Sequence, residues 1–185
     1  NKPLQSIKYR IIPSLHTLQN WRGWIVQMAR HLHLVFFSHR NPPFQKIFYA
    51  LKSFITAHLP RFSQGAGTLT ERLGKGLADS PNGPVLFIGT DAPDISATLL
   101  RQAVRALQRN DAVFGPADDG GFWLFGVNKR PGLPSLFDNV RWSGPHARAD
   151  VQANLPSSFR LTLLETLQDL DEEPDWRRWN ANKLR

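Results

Sequence analysis

A run of apolar residues, Val85–Ile88, runs straight into Gly89-Thr90-Asp91-Ala92-Pro93-Asp94. An unbroken apolar run of this kind is the pattern of a strand covered on both faces. In open α/β sheets ligands bind beyond the carboxyl ends of such strands. Asp91 falls at that end, and Gly89 lets a backbone or ligand come close. A carboxylate so placed suits Mg²⁺ or Mn²⁺, hard cations that take oxygen ligands and bridge to phosphates. The plainer reading is that Asp91 orders the turn and Asp94 caps the next helix.

Two further acidic clusters follow. Gly115-Pro116-Ala117-Asp118-Asp119-Gly120-Gly121 also succeeds a short apolar run. Adjacent carboxylates repel unless solvated, hydrogen-bonded, or bridged by a cation or a substrate's hydroxyls; an ordinary Asp/Gly-rich turn is the alternative. Asp169-Leu170-Asp171-Glu172-Glu173-Pro174-Asp175 comes after the last strand-like segment. Acids at a helix start complement its dipole, yet Asp171 can also share the sheet end of Asp91. Lys2, Lys8 and Arg10, with Pro3 between them, make a basic loop able to grip a triphosphate, or simply a solvated end.

The 185 residues carry 23 Lys+Arg and 15 Asp+Glu, a formal charge of +8, and no cysteine. Disulfides, thiolate-bound metals and thiol nucleophiles are therefore excluded, and a reducing cytoplasm is the default expectation. No stretch reaches the length and apolarity of a membrane-spanning helix. Residues 1–70 hold nine Lys/Arg and no acid at all, whereas the remainder balances 14 basic against 15 acidic residues. The basic third should attract anions. Without helix-turn-helix, zinc-finger or RNA-binding signatures, its charge argues for phosphates rather than nucleic acid. Serine-hydrolase, P-loop and dinucleotide motifs are missing too, and Gly65-Ala66-Gly67 is only a short glycine-spaced loop.

These residues need a scaffold. Helical spacing is expected over 17–31, 44–58, 68–78 and 96–109, the last capped by Ser96, with weaker helices over 144–154 and 174–182. Strands are expected at Leu32–Ser38, Val85–Ile88, Asp111–Gly115, Phe122–Val127 and Arg160–Leu164. Alternating strands and helices predict one α/β domain over 1–185 with a mostly parallel sheet. Trp21, Trp24, Phe36, Phe37, Phe44 and Phe48 could fill its core or pair two chains as a homodimer.

Taken in order, Phe87-Ile-Gly-Thr-Asp91-Ala-Pro-Asp94, Phe114-Gly-Pro-Ala-Asp118-Asp119-Gly-Gly-Phe122-Trp-Leu-Phe-Gly126, Leu136-Phe-Asp-Asn-Val-Arg-Trp142-Ser143 and Leu170-Asp171-Glu-Glu-Pro-Asp175 resemble a bacterial family of GT-A-fold, nucleotide-diphospho-sugar-transferase-like proteins. That family is labelled glycosyltransferase or radical-SAM/selenodomain-associated transferase. It is related to the guanylyltransferases of molybdopterin and 2-phospholactate. The resemblance covers roughly residues 60–180. It implies a three-layer α/β/α Rossmann-like fold, with Asp91 and Asp171 as metal ligands and Lys8, Arg10 and Asp119 acting in catalysis. Lys2, Gly65, Gly67, Gly120 and Gly121 would contact the nucleotide or acceptor. In such enzymes the basic loop follows a central first strand, so a sheet lacking that strand, or completed differently, is expected here. Where the family has Asp-Leu-Gly before Glu-Arg, this chain reads Thr68-Leu69-Thr70-Glu71-Arg72.

The implied activity is metal-dependent transfer of a glycosyl group from a nucleotide-sugar, or of a nucleotidyl group from a nucleoside triphosphate, to a small acceptor. A non-catalytic nucleotide-binding or interaction protein with the same fold is the alternative.

Overall fold

The computed structural model describes residues 33–37 as backbone, residues 66–89 and 91–170, and four positions of a last helix, Asp175, Arg177, Trp179 and Ala181. The expected helices over 17–31 and 44–58, and the site residues Lys2, Lys8, Arg10, Gly65 and Asp171, lie outside these residues.

Five strands form one sheet in the order β1 (His33–Phe37), β2 (Gly83–Gly89), β4 (Phe122–Lys129), β3 (Ala112–Pro116), β5 (Leu161–Leu163). β1 runs parallel to β2 and β3 parallel to β5, while β4 opposes both β2 and β3. The sheet is thus mostly parallel with one reversed internal strand. Among the described residues, His33–Phe37 is the edge strand on the β2 side of the sheet.

Two cores sandwich the sheet. On one face, alternate residues Val85, Phe87, Ala112, Phe114, Phe125 and Val127 pack under α1 (Leu69–Asp79) and α3 (Ala147–Ala153). On the other, Leu86, Ile88 and Val113 meet Leu99, Leu100, Ala103 and Leu107 of α2 (Ala97–Leu107). The helices therefore take two layers and the sheet the third, as the two-sided burial of β2 requires. The first face is aromatic. Phe114 and Phe125 stack at 4.7 Å, Phe87 meets Phe137 edge-on at 5.2 Å, and Phe122 meets Trp142 at 6.3 Å. Such pairs contribute about 0.5–1.5 kcal/mol each beyond area burial.

Helix ends follow local chemistry. Ser96 caps α2 by accepting from the Leu99 amide at 3.3 Å. Thr68 and Glu71 form a reciprocal capping box on α1. α1 runs against the strand direction. Its start meets Phe137 and Trp142 through Thr70, and its end is tied by the Lys129 ammonium to the carbonyls of Ala78 and Ser80. Since Phe122 begins β4 and Lys129 ends it, the first turn of α1 lies at the carboxyl end of β2 and β3. Among the described residues no helix is long and apolar enough to cross a membrane.

Candidate functional site

The carboxyl ends of β2 and β3 and the start of β4 make one rim, and the acidic loops sit on it. Asp91 follows β2, half-buried. Its Oδ1 hangs over Gly89, where an added Cβ would come within 2.8 Å of it. Any side chain at Gly89 would therefore displace the carboxylate.

The segment after β5 closes on this loop. Leu167 bridges Ala117 in parallel, and the Leu170 amide donates to the Asp91 carbonyl at 3.1 Å. The residue preceding Asp171 is thereby joined to Asp91. The last helix adds a second tie, the Trp179 indole N–H donating to Asp94 Oδ2 at 2.6 Å. Asp94 thus does not cap α2, a role filled by Ser96; it anchors a buried tryptophan.

Asp118 and Asp119 are both exposed on the loop between β3 and β4. Their repulsion is met by separate backbone donors. Asp118 Oδ1 accepts from the Asp169 amide at 3.2 Å, and Asp119 Oδ1 accepts from the Gly121 amide at 2.8 Å. Gly120 has φ +92°, and a Cβ there would lie 2.5 Å from both Cα and O of Pro145. Only glycine satisfies both constraints. The Arg148 amide also donates to the Gly120 carbonyl at 3.3 Å, so the segment after Trp142 is locked against the loop.

The stretch from Asn139 to Ser143 leading into it is itself strained: both of these residues adopt positive φ, of 57° and 61°. It is held from both ends. Arg141 makes a bidentate pair with Asp150, at 2.9 and 2.7 Å, and its amide donates to the same carboxylate at 3.0 Å. These bonds lower the Asp150 pKa to about 2. The Trp142 indole donates to Thr70 Oγ1 at 2.7 Å, leaving its ring half-buried against Phe122 and Phe137.

Gly67, at φ +118°, stands where the Glu71 carboxylate folds back onto Thr68, accepting from its amide at 2.6 Å and its hydroxyl at 2.9 Å. The same bonds hold the Glu71 pKa below its usual value. Gly67 accordingly serves the helix cap, whatever else it touches.

Of the residues expected from sequence, Asp91, Asp119, Gly120 and Gly121 therefore share one rim, and Gly67 lies at the start of α1 toward that same end. Sequence reasoning missed the Trp179–Asp94 tie, the Pro145 contact and the Asp118–Asp169 bond. Each joins residues distant in the chain, and no local pattern signals them.

Among the described residues no three His, Asp or Glu side chains come together as a ready-made cation cage. The oxygen-only donors at the rim still fit Mg²⁺, which is commonly held by one or two carboxylates plus substrate phosphates.

Solved structures share this fold. One, from Desulfovibrio desulfuricans G20, is provisionally assigned as a nucleotide-diphospho-sugar transferase. It is 24% identical, with a TM-score of 0.59 over 91% of this chain and 75% of its own. Another is 4-diphosphocytidyl-2C-methyl-D-erythritol synthase from Anaerococcus prevotii, 12% identical, with a TM-score of 0.54 over 91% of this chain and 89% of its own. The three-layer, Rossmann-like GT-A type of fold is thus established. No curated protein sequence matches the chain significantly. Residues 27–144, more than half of the chain, match the family described as "uncharacterized protein conserved in bacteria", DUF2064, and the chain belongs to that family.

Proposed function

We propose that the chain is a metal-dependent, nucleotide-using transferase acting on a small-molecule acceptor. The observation that carries this reading is the joining of Asp91 to the segment that leads into Asp171, on the rim where α/β sheets receive ligands. The two solved structures of the same fold add support, because both are named for a nucleotide-diphosphate compound.

In this reading Asp91 and Asp171 hold Mg²⁺ or Mn²⁺, which when bound neutralises the charge developing on nucleotide phosphates. Lys2, Lys8 and Arg10 grip those phosphates, and fixed positive groups of this kind stabilise the transition state without reorganising. Asp119 keeps Oδ1 on the Gly121 amide, so its other oxygen can orient an acceptor hydroxyl. Gly120, packed against the Pro145 backbone, and Gly121, packed against the Asp119 carboxylate, shape the wall of the acceptor pocket.

Two transfers suit these parts. In glycosyl transfer, an acceptor oxygen bonds to the anomeric carbon as its bond to the nucleoside diphosphate breaks. In nucleotidyl transfer, an acceptor phosphate oxygen attacks the α-phosphorus and pyrophosphate leaves. A cytoplasmic location and a homodimer complete the proposal; a clean monomer by light scattering would remove the dimer.

Calorimetric titration with GTP, CTP, UDP-glucose and GDP-mannose, with Mg²⁺ or Mn²⁺, tests it. Metal-dependent binding that disappears in Asp91→Ala is expected, and the preferred ligand separates the two transfers. Silence across the panel overturns the reading.

A further inference from the structure

Arg72 lies in the first turn of α1, half-buried, and its Nε is buried with no hydrogen-bond partner. Almost every buried polar atom in a folded protein is paired, so each exception calls for a cause. Its own helix offers no counterion. Glu71 is turned back onto Thr68 and Asp79 is paired with Lys75. The neighbours one turn away on either side are Thr68, Leu69, Lys75 and Gly76, none of them acidic. Residues 1–70 contain no Asp or Glu, so that whole segment can bring no carboxylate either.

The direction of the side chain follows from the helix. The buried stripe of α1 is Leu69, Leu73 and Leu77, with Thr70 and Arg72 on opposite flanks at about 100° per residue. The Thr70 flank is closed by Phe137 and Trp142. Arg72 occupies the other flank, on the side of β1, against which α1 also packs. Its height is that of the first turn, the end of the sheet where Asp91 and Asp119 lie. The amide of Glu71 and the dipole of this turn are already served by Thr68 and Glu71. Among the described residues of this turn, the uncompensated positive charge is Arg72.

A half-buried guanidinium with no counterion among the described residues costs stability. We propose that Arg72 binds a phosphate-type oxyanion of the substrate. The inference rests on the transferase reading and assigns a phosphate ligand to α1. The planar fork of arginine matches two phosphate oxygens at once, a geometry a lysine ammonium cannot reproduce. The oxyanion belongs either to the nucleotide or to a phosphorylated acceptor.

Thermal melts of the wild type, Arg72→Met and Arg72→Lys test this, each alone and with Mg²⁺ plus pyrophosphate, GTP, CTP or glucose 1-phosphate. Methionine replaces the unpaired cation by an apolar chain of similar length. Arg72→Met should therefore melt about 2–4 °C above the wild type without ligand, and should lose the stabilisation the anions confer. Arg72→Lys should retain part of it. Loss confined to pyrophosphate, GTP and CTP assigns the nucleotide; loss confined to glucose 1-phosphate assigns the acceptor.

A lower melting temperature in Arg72→Met, or an undiminished response to every anion, overturns the inference while leaving the transferase reading intact. A wild type that ignores nucleotides but responds to pyrophosphate or glucose 1-phosphate through Arg72 does the reverse. A wild type indifferent to all four probes overturns both.

Discussion

The amide of Leu170 donates to the carbonyl of Asp91 at 3.1 Å, linking the loop after β2 to a segment nearly eighty residues later. The position of the Asp91 loop therefore depends on the closing segment of the chain as well as on the strand beneath it. Trp179 reinforces the same dependence through Asp94.

Trp179→Phe keeps the ring and removes the donor to Asp94. A hydrogen bond to a carboxylate contributes about 1.5–3 kcal/mol, so a stability loss of that order is expected in denaturant unfolding. In the proposed function, metal-dependent nucleotide affinity should fall as well. Calorimetry on this variant checks it, and unchanged affinity would mean that the loop is held without the indole.

Gly120→Ala meets two obstacles, a positive φ and the backbone of Pro145. Left-handed backbone costs a non-glycine residue about 1–2 kcal/mol, and overpacking adds about 1–3 kcal/mol. Urea unfolding should register a loss of about 2–5 kcal/mol. A loss below that range would show that the segment around Pro145 can withdraw.

Thr70→Val removes the acceptor of the Trp142 indole and one donor to the Phe137 carbonyl. An indole N–H left unpaired at this half-buried position costs up to about 1–3 kcal/mol. Thr70→Ser retains the hydroxyl and should recover most of that loss. The comparison is made by thermal unfolding.

Asp150 provides a pH handle. Its pKa is depressed from 3.8 to about 2 by the hydrogen bonds from Arg141. Because the folded value lies below the unfolded one, the stabilisation is fully present above 3.8 and is lost as pH falls toward 2. Asp150→Asn should therefore flatten the fall in stability over this window, as measured by urea unfolding at stepped pH. An unchanged slope would mean that the pair with Arg141 is not maintained in solution.

Much of this architecture is legible in local pattern. β2 announces itself as an unbroken apolar run, and α2 by its spacing after Ser96; both agree with the structure to within two residues. Gly120 and Asp119 stand out because paired carboxylates beside paired glycines ask for special backbone. The reversal of β4 is different. Alternating apolar residues specify a strand but not its direction, which here follows from the tight Ala117–Gly121 turn out of β3. Arg72 was equally hidden. One arginine among 23 basic residues carries no signal until its neighbours in space are known to offer no anion. Trp179 and Asp94 lie 85 positions apart, beyond the reach of any periodicity.

The aromatic packing between the sheet and the α1/α3 layer has a spectroscopic consequence. Phe87, Phe114, Phe122, Phe125 and Phe137 share one cluster with the methyl groups of Val85, Val127 and Val151. Ring currents there should push several of those methyl resonances well upfield of the random-coil envelope. On the opposite face, where α2 presents mainly aliphatic residues to the sheet, Trp123 is the principal ring among the described residues. The proton spectrum of the protein consequently distinguishes its two faces. Loosening of the layer that carries Arg72 and Trp142 would show as a collapse of those shifted methyl signals while the α2 face stayed silent.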